Sequence, residues 1–238
     1  MTKEMETLKK WIDESDNIVF FGGAGVSTES GIPDFRSVDG LYHQQYRYPP
    51  ETIISHSFFE RDPEEFYRFY RDKLVVRDAR PNRAHLRLAE LEKEGKLKAV
   101  ITQNIDGLHQ AAGSERVIEL HGSTLRCYCA RCRRPYPVEA VNDSTGVPRC
   151  ECGGVIRPDV VLYEEGLEEQ NLVDAVHYIR HADVLIIGGT SLVVYPAASL
   201  INYYRGNKLV LINLSETPRD SDADLVVRGK IGEVFSQV

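Results

Sequence analysis

The sequence predicts an α/β fold: an open parallel sheet wrapped by helices on both faces, with a small inserted lobe. Three observations carry this reading. Six short runs, residues 18–21, 99–102, 117–120, 184–187, 209–212 and 225–227, are apolar at successive rather than alternate positions, as strands buried on both faces require. Helix-spaced stretches separate several of them, the alternation expected of an α/β sheet. Two segments, residues 37–80 and 124–155, break the alternation and read as insertions, which leaves residues 1–36, 81–123 and 156–238 to the sheet domain.

Taken in order, residues 4–14 place Leu8, Trp11 and Ile12 at helical spacing ahead of the first strand. That strand, Ile18-Val19-Phe20-Phe21, opens into Gly22-Gly23-Ala24-Gly25-Val26-Ser27-Thr28. Residues without bulky side chains let the main chain approach a diphosphate and turn its N–H groups toward it, so a phosphate-bearing cofactor on a Rossmann-like sheet is expected. Thr28 stands where the third glycine of the dinucleotide fingerprint would fall, which disfavours an ordinary dehydrogenase. Residues 37–80 carry Tyr42, Tyr46, Phe58, Phe59, Phe66 and Tyr67 at irregular and then helical spacing, and are expected to form a helical lobe over the glycine turn. Residues 84–94, with Leu86, Leu88 and Leu91, and 172–180, with Val173, Val176 and Ile179, read as helices on the sheet.

All five cysteines fall between residues 127 and 152, unlike a disulfide framework spread through a secreted fold. Cys129-x-x-Cys132 and Cys150-x-Cys152, 17 residues apart, can close a four-thiolate zinc site with no open position, hence structural and not catalytic. Cys127 offers a competing pair with Cys129, so the first pair rests on spacing. Prolines 135, 137 and 148 and a scarcity of core residues leave the metal to organise this ribbon. The chain of 238 residues has a net charge of −7, which argues against non-specific nucleic-acid binding, and no run of the roughly 20 apolar residues a membrane span needs. The N-terminal residues have no signal-peptide core, so a cytoplasmic location is expected; a monomer is also expected.

Polar clusters sit where the strands end, the ligand side of an open α/β sheet. They are Thr102-Gln103-Asn104-Ile105-Asp106-Gly107-Leu108-His109, Glu119-Leu120-His121-Gly122-Ser123, Gly188-Gly189-Thr190-Ser191-Leu192 and Asn213-Leu214-Ser215. With the glycine turn, Pro33-Asp34-Phe35-Arg36 and the cysteine pairs, they make the chain resemble the sirtuins, the NAD-dependent protein lysine deacylases, in order and over nearly its whole length. The resemblance implies that NAD is consumed: the acyl-lysine oxygen attacks its ribose, nicotinamide leaves, and the acyl group ends on ADP-ribose. His121 matches the general base for a ribose hydroxyl, a role suited to an imidazole titrating near neutrality. Asn104 and Asp106 match groups that bind and activate the nicotinamide end, with Ile105 lining the pocket. Both could instead cap a helix, Asn104 more readily than Asp106. Gln103 matches a ribose contact, and Ala24, Ser27 and Thr28 match diphosphate and ribose contacts. Phe35 and Arg36 match a loop covering the cofactor. Gly189, Thr190 and Ser191 match phosphate and ribose contacts, Asn213 an adenosine-ribose contact, and Lys230 with Ile231 an adenine contact. The family's acyl-lysine peptide pairs as an added strand between two loops. These match residues 160–166, with Val160 and Leu162, and residues 192–195, with Leu192 and Val193.

Three departures bear on this. Gly22 replaces a threonine at a permissive position, and cofactor binding is expected to survive. Glu164 stands where the family places glycine, leaving the loop's shape and charge preference open. Residues 41–47 lack the Tyr-x-x-Arg used for acidic acyl groups, so a neutral acyl group, acetyl first, is expected. Other readings are a protein mono-ADP-ribosyltransferase or a non-catalytic NAD or ADP-ribose sensor on the same fold. A third is a ribbon binding nucleic acid through Arg126, Arg131, Arg133, Arg134 and Tyr136, which the acidic whole disfavours.

Overall fold

The computed structural model describes residues 2–34 and 47–238. Among them are strands β1 (Ile18–Gly22), β2 (Leu97–Thr102), β3 (Val117–Glu119), β4 (Gly122–Cys129), β5 (Pro135–Tyr136), β6 (Ile156–Val160), β7 (Val184–Gly188), β8 (Leu209–Asn213) and β9 (Leu225–Arg228). The helices are α1 (Lys3–Glu14), α2 (Pro50–Ile53), α3 (His56–Arg61), α4 (Pro63–Phe69), α5 (Arg83–Lys93), α6 (Leu108–Ala111), α7 (Glu139–Asn142), α8 (Glu169–His181) and α9 (Ile231–Phe235).

β1 is buried at every position because it lies mid-sheet, with Phe20 opposite Val100 on one side and Ile186 on the other. The six predicted strands form one parallel sheet in the order β3-β2-β1-β7-β8-β9. Successive side chains divide between its faces. Ile18 and Phe20 join Leu8 and Ile12 of α1, Leu88 and Leu91 of α5, and Phe235 of α9. Val19 and Phe21 join Ala175 and Ile179 of α8 and Leu200 and Ile201 of a 3-10 segment. Each such buried Val, Leu, Ile or Phe side chain contributes about 1.5–3 kcal/mol. Local signals fix the helix starts: the Thr2 hydroxyl accepts from Met5 N–H, and Asn82 and His85 form a reciprocal box at the start of α5.

The second lobe is an antiparallel sheet, β5-β4-β6, with α2, α3, α4 and α7 around it. Its strands extend outside residues 124–155, taking Gly122 and Ser123 at one end and Ile156–Val160 at the other. The aromatic insertion and the cysteine segment share one core, in which Phe58, Phe66 and Tyr67 pack with Cys127, Cys129, Cys150 and Ile156. The Tyr67 hydroxyl donates to Ile156 O at 2.7 Å. Phe59 and Phe66 meet edge to face at 4.9 Å. No helix among the described residues is long and apolar enough to cross a membrane.

Candidate active site

The chain leaves β1 toward β2 and β3, then crosses to β7, β8 and β9 on the other side, so the topological switch point lies between the ends of β1 and β7. There the glycine turn folds into two 3-10 turns, Ala24–Val26 and Thr28–Ser30. Gly23 N–H donates to Gly188 O at 3.2 Å and Gly25 N–H to Gly189 O at 2.7 Å, locking the two loops main chain to main chain. A Cβ on Gly25 would stand 2.8 Å from Gly189 Cα, so the close approach excludes a larger residue. Gly189 itself has a φ of 60°. The main-chain N–H groups of Ala24, Thr190 and Ser191 have no partner among the described residues. Unused donors on two locked loops fit a diphosphate.

Around them, the Thr190 hydroxyl accepts from Gln103 Nε2 at 3.1 Å and from Leu192 N–H at 3.2 Å. Asn213 Nδ2 donates to Ser215 O at 3.2 Å at the end of β8. The Thr28 hydroxyl is turned to Gly25 O at 3.0 Å. Lys230 precedes α9, its Nζ 3.5 Å from Glu233. Ile231 is buried in the sheet core against Gly188, so only its main chain is left for a ligand. Glu29 accepts from Gly232 N–H at 2.6 Å, tying the second 3-10 turn to α9. Phe35 and Arg36 lie outside the described residues, as do residues 37–46 of the aromatic insertion.

Beside the switch point, Ser27 is 1 % exposed and its hydroxyl serves two neighbours. It accepts from Asn104 Nδ2 at 3.0 Å and donates to Asp106 Oδ2 at 2.7 Å. Ser27 is thus an internal bridge between Asn104 and Asp106. The other oxygen of Asp106 accepts from Leu108 N–H at 2.9 Å, in the first turn of α6. This corrects the order expected for capping: Asp106 supports a helix start, whereas Asn104 turns inward to Ser27. A carboxylate has acceptor sites enough for both partners and a ligand amide. Ile105, half-buried, accepts from Thr124 N–H and hydroxyl, each at 2.9 Å, which anchors this loop to β4.

His121 occupies the tight turn between β3 and β4, completed by Gly122 with a φ of 73°. Its Nδ1 lies 2.9 Å from Gln103 O. A carbonyl only accepts, so Nδ1 carries the proton and Nε2 holds the lone pair. Burial pushes the imidazole pKa below 6.5, against the opposing pull of the Gln103 carbonyl, and the ring is neutral at pH 7. Behind the turn, Glu119 accepts from Gln110 Nε2 at 2.8 Å and pairs with Arg126 at 2.7 Å.

Both segments expected to hold the peptide, 160–166 and 192–195, are among the described residues. Val161 N–H donates to His121 O at 3.0 Å, which joins the first directly to the histidine turn. Tyr163 pairs through its main chain with Ile54 and His56. Glu165 accepts from Leu162 N–H at 2.8 Å and forms a two-point ion pair with Arg157, at 2.7 and 2.9 Å. Val160 is half-buried and Leu162 buried; in the second loop Leu192 is buried and Val193 exposed. Ser57, whose N–H and hydroxyl donate to Glu164, and His56, whose Nδ1 lies 2.9 Å from Glu165, escape sequence reading because they come to this loop from a distant segment.

Cys129, Cys132, Cys150 and Cys152 bring their four sulfurs within 4.8 Å of one another. Cys129 and Cys152 are 3.5 Å apart and Cys132 and Cys150 3.7 Å, close to the roughly 3.8 Å edge of a tetrahedron with 2.3 Å Zn–S bonds. Arg131 and Cys132 N–H point at Cys129 Sγ, and Cys152 N–H at Cys150 Sγ, at 3.4–3.5 Å. Such donors favour thiolates; the Tyr136 hydroxyl, 3.1 Å from Cys150 Sγ, helps push that thiol down to about 6. The donor set fits zinc. Cys127 is buried in the lobe core outside the tetrad, which resolves the competing pair.

A model described as the Sir2 family matches residues 23–196. An NAD-dependent protein deacetylase of Clostridium perfringens is 58% identical over 100% of this chain and 99% of its own length. One from Staphylococcus aureus is 47% identical over 100% and 99%. A solved Sir2 structure with p53 peptide and NAD+ has a TM-score of 0.89 at 43% identity, covering 100% of this chain and 97% of the other. On the strength of that coverage and of a glycine turn, histidine turn and thiolate tetrad in one frame, the chain belongs to the Sir2 family.

Proposed function

We propose that this chain is an NAD-dependent protein lysine deacetylase. The observation that carries the proposal is His121, whose Nδ1 is held by the carbonyl of Gln103, the residue before Asn104 of the Ser27, Asn104 and Asp106 cluster, so that a neutral Nε2 is left as a base. Relatives that match end to end carry this activity in their names. NAD, when bound, supplies the ADP-ribose that accepts the acyl group, with nicotinamide as leaving group. Ala24, Thr28, Gly189, Thr190 and Ser191 hold its diphosphate and adjoining ribose, and Asn213, Lys230 and Ile231 the adenosine end. Asp106 accepts from the nicotinamide amide, Asn104 and Gln103 orient the neighbouring ribose, and Ile105 lines that pocket. His121 Nε2 takes the proton of a ribose hydroxyl.

The acyl-lysine segment pairs between Val160 and Leu162 on one side and Leu192 and Val193 on the other, an apolar lining suited to a neutral acyl group, acetyl first. One zinc on the four cysteines holds the ribbon. We assign residues 1–36, 81–123 and 156–238 to the NAD-binding domain, 37–80 to the helical insertion and 124–155 to the ribbon, with Gly122, Ser123 and Ile156–Val160 at the junctions pairing in the ribbon's sheet. None of the five cysteines is in a disulfide, which supports a reducing, cytoplasmic setting; the enzyme acts as a monomer, without specific nucleic-acid binding. The test is mass spectrometry of an acetyl-lysine peptide incubated with and without NAD. Loss of the acetyl group only with NAD supports the proposal, and NAD-dependent gain of ADP-ribose on an otherwise acetylated peptide replaces it with the transferase reading.

A further inference from the structure

Three non-glycine residues among those described adopt a positive φ: Arg133 at 61°, Glu164 at 75° and Leu192 at 55°. Two of the three, Glu164 and Leu192, fall one on each of the loops assigned above to the acyl-peptide. A backbone conformation that L side chains rarely adopt persists only where neighbours over-determine it. For Leu192 the neighbours are its buried side chain and the Thr190 hydroxyl that accepts from its N–H. For Glu164 they are two bonds to one residue of α3: Ser57 N–H at 2.8 Å and the Ser57 hydroxyl at 3.0 Å, one on each carboxylate oxygen.

These bonds have consequences for the loop. Glu164 is exposed and its burial contributes little, so the carboxylate is what holds the residue in the left-handed region. Folding the side chain back onto α3 leaves the Glu164 main-chain N–H and C=O without partners among the described residues. The neighbouring loop groups are already engaged: Val161 N–H by His121, Leu162 N–H by Glu165 and Tyr163 N–H by Ile54. The Ser57–Glu164 contact also borders a cleft of about 230 Å³ that continues along Phe58, Arg61 and Tyr163.

We infer that Glu164, latched to Ser57, is a positioning residue for the acyl-peptide: it holds the first peptide loop to α3 in a shape that presents the free Glu164 main chain to the substrate. The inference rests on the deacetylase reading above. It differs from the role a glycine would have at this position, because glycine reaches the same φ without anchoring the loop.

The experiment compares wild type, Glu164→Gly and Glu164→Gln, reading the Kd of a fluorescein-labelled acetyl-lysine peptide by anisotropy beside peptide KM and kcat. Glu164→Gly removes the latch and the unfavourable backbone conformation together, so folding is not at stake. It is expected to raise peptide Kd and KM about ten-fold, the worth of a charge-assisted hydrogen bond, with kcat at saturating peptide within about two-fold. Glu164→Gln keeps an acceptor for Ser57 N–H and should stay within about three-fold of wild type. Wild-type affinity in Glu164→Gly, equal weakening in both variants, or a fall in kcat without a change in KM overturns the inference while turnover by the wild type upholds the deacetylase reading. Peptide binding that follows the predicted order without any turnover upholds the latch and overturns that reading.

Discussion

The Ser27 hydroxyl donates to Asp106 Oδ2 at 2.7 Å while accepting from Asn104 Nδ2 at 3.0 Å, so one small buried group sets the direction of the two side chains assigned to the nicotinamide end. Its position comes from the first 3-10 turn, where Ser27 N–H donates to Ala24 O at 3.1 Å. Replacing Ser27 by alanine removes both bonds at once. Asn104 then lacks a buried partner, at a cost of about 1–3 kcal/mol. The expected outcome is a fall in kcat/KM for NAD of about ten- to a hundred-fold with the fold intact, read by nicotinamide release beside a thermal melt.

The tautomer at His121 makes a pH prediction. Because burial holds its pKa below 6.5, and the base must be neutral to act, the acid limb of the kcat profile should have its midpoint below pH 6.5 and reach a plateau by pH 7. His121→Ala should lower kcat by at least about a hundred-fold and abolish that limb. A midpoint above 7 would show that the base is another group.

A second consequence of burial lies under the same loop. His85 and His109 are 4.7 Å apart, ring centre to ring centre, and are 0 % and 1 % exposed. Burial pushes His85 down to about 4, against the pull of Asp106, and His109 down to about 3, with a further push from His85. Unfolding restores an ordinary pKa near 6.5, so the unfolded chain binds more protons below that pH. Stability is therefore complete above pH 6.5 and lost as pH falls toward 4, by about 1.4 kcal/mol per pH unit for each ring. Urea denaturation between pH 7 and 4.5 should show this slope, and His109→Leu, which replaces a ring whose nitrogens have no hydrogen-bond partner among the described residues, should flatten it by about one proton.

Zinc removal should act beyond the ribbon. Because Cys127, Cys129 and Cys150 share a core with Phe58, Phe66 and Tyr67, and Arg71 donates to Val141 O at 2.8 Å, the helical insertion is expected to loosen with the thiolate cluster. Hydrogen exchange after chelation should then rise in α3 and α4 as well as in β4 and β6, with the six-stranded sheet protected. Exchange confined to residues 124–155 would contradict this.

What the sequence discloses here follows from how local the signal is. Ile18 to Phe21 and Val184 to Ile187 read as strands because both sides of a mid-sheet strand are buried, and the thiolate tetrad reads from spacing because its ligands come in close pairs. β4 and β6 do not read as strands: Gly122–Cys129 mixes small, polar and cysteine residues, and its pairing with β6 is irregular between Ser123 and Cys127. The inward turn of Ser27, its bonds to Asn104 and Asp106, and the Ser57–Glu164 contact each join segments far apart in the chain, where no periodicity or motif records the partner. Ile231 shows the reverse limit, since a motif position gives no sign that its side chain is committed to the core.

The central claim is that the acetyl group leaves lysine for the ADP-ribose of NAD, and the direct measurement is to follow that group. With a carbon-13 acetyl-lysine peptide and NAD, mass spectrometry should find the label in O-acetyl-ADP-ribose, equimolar with free nicotinamide and deacetylated peptide. Label released as free acetate with NAD intact would contradict the account.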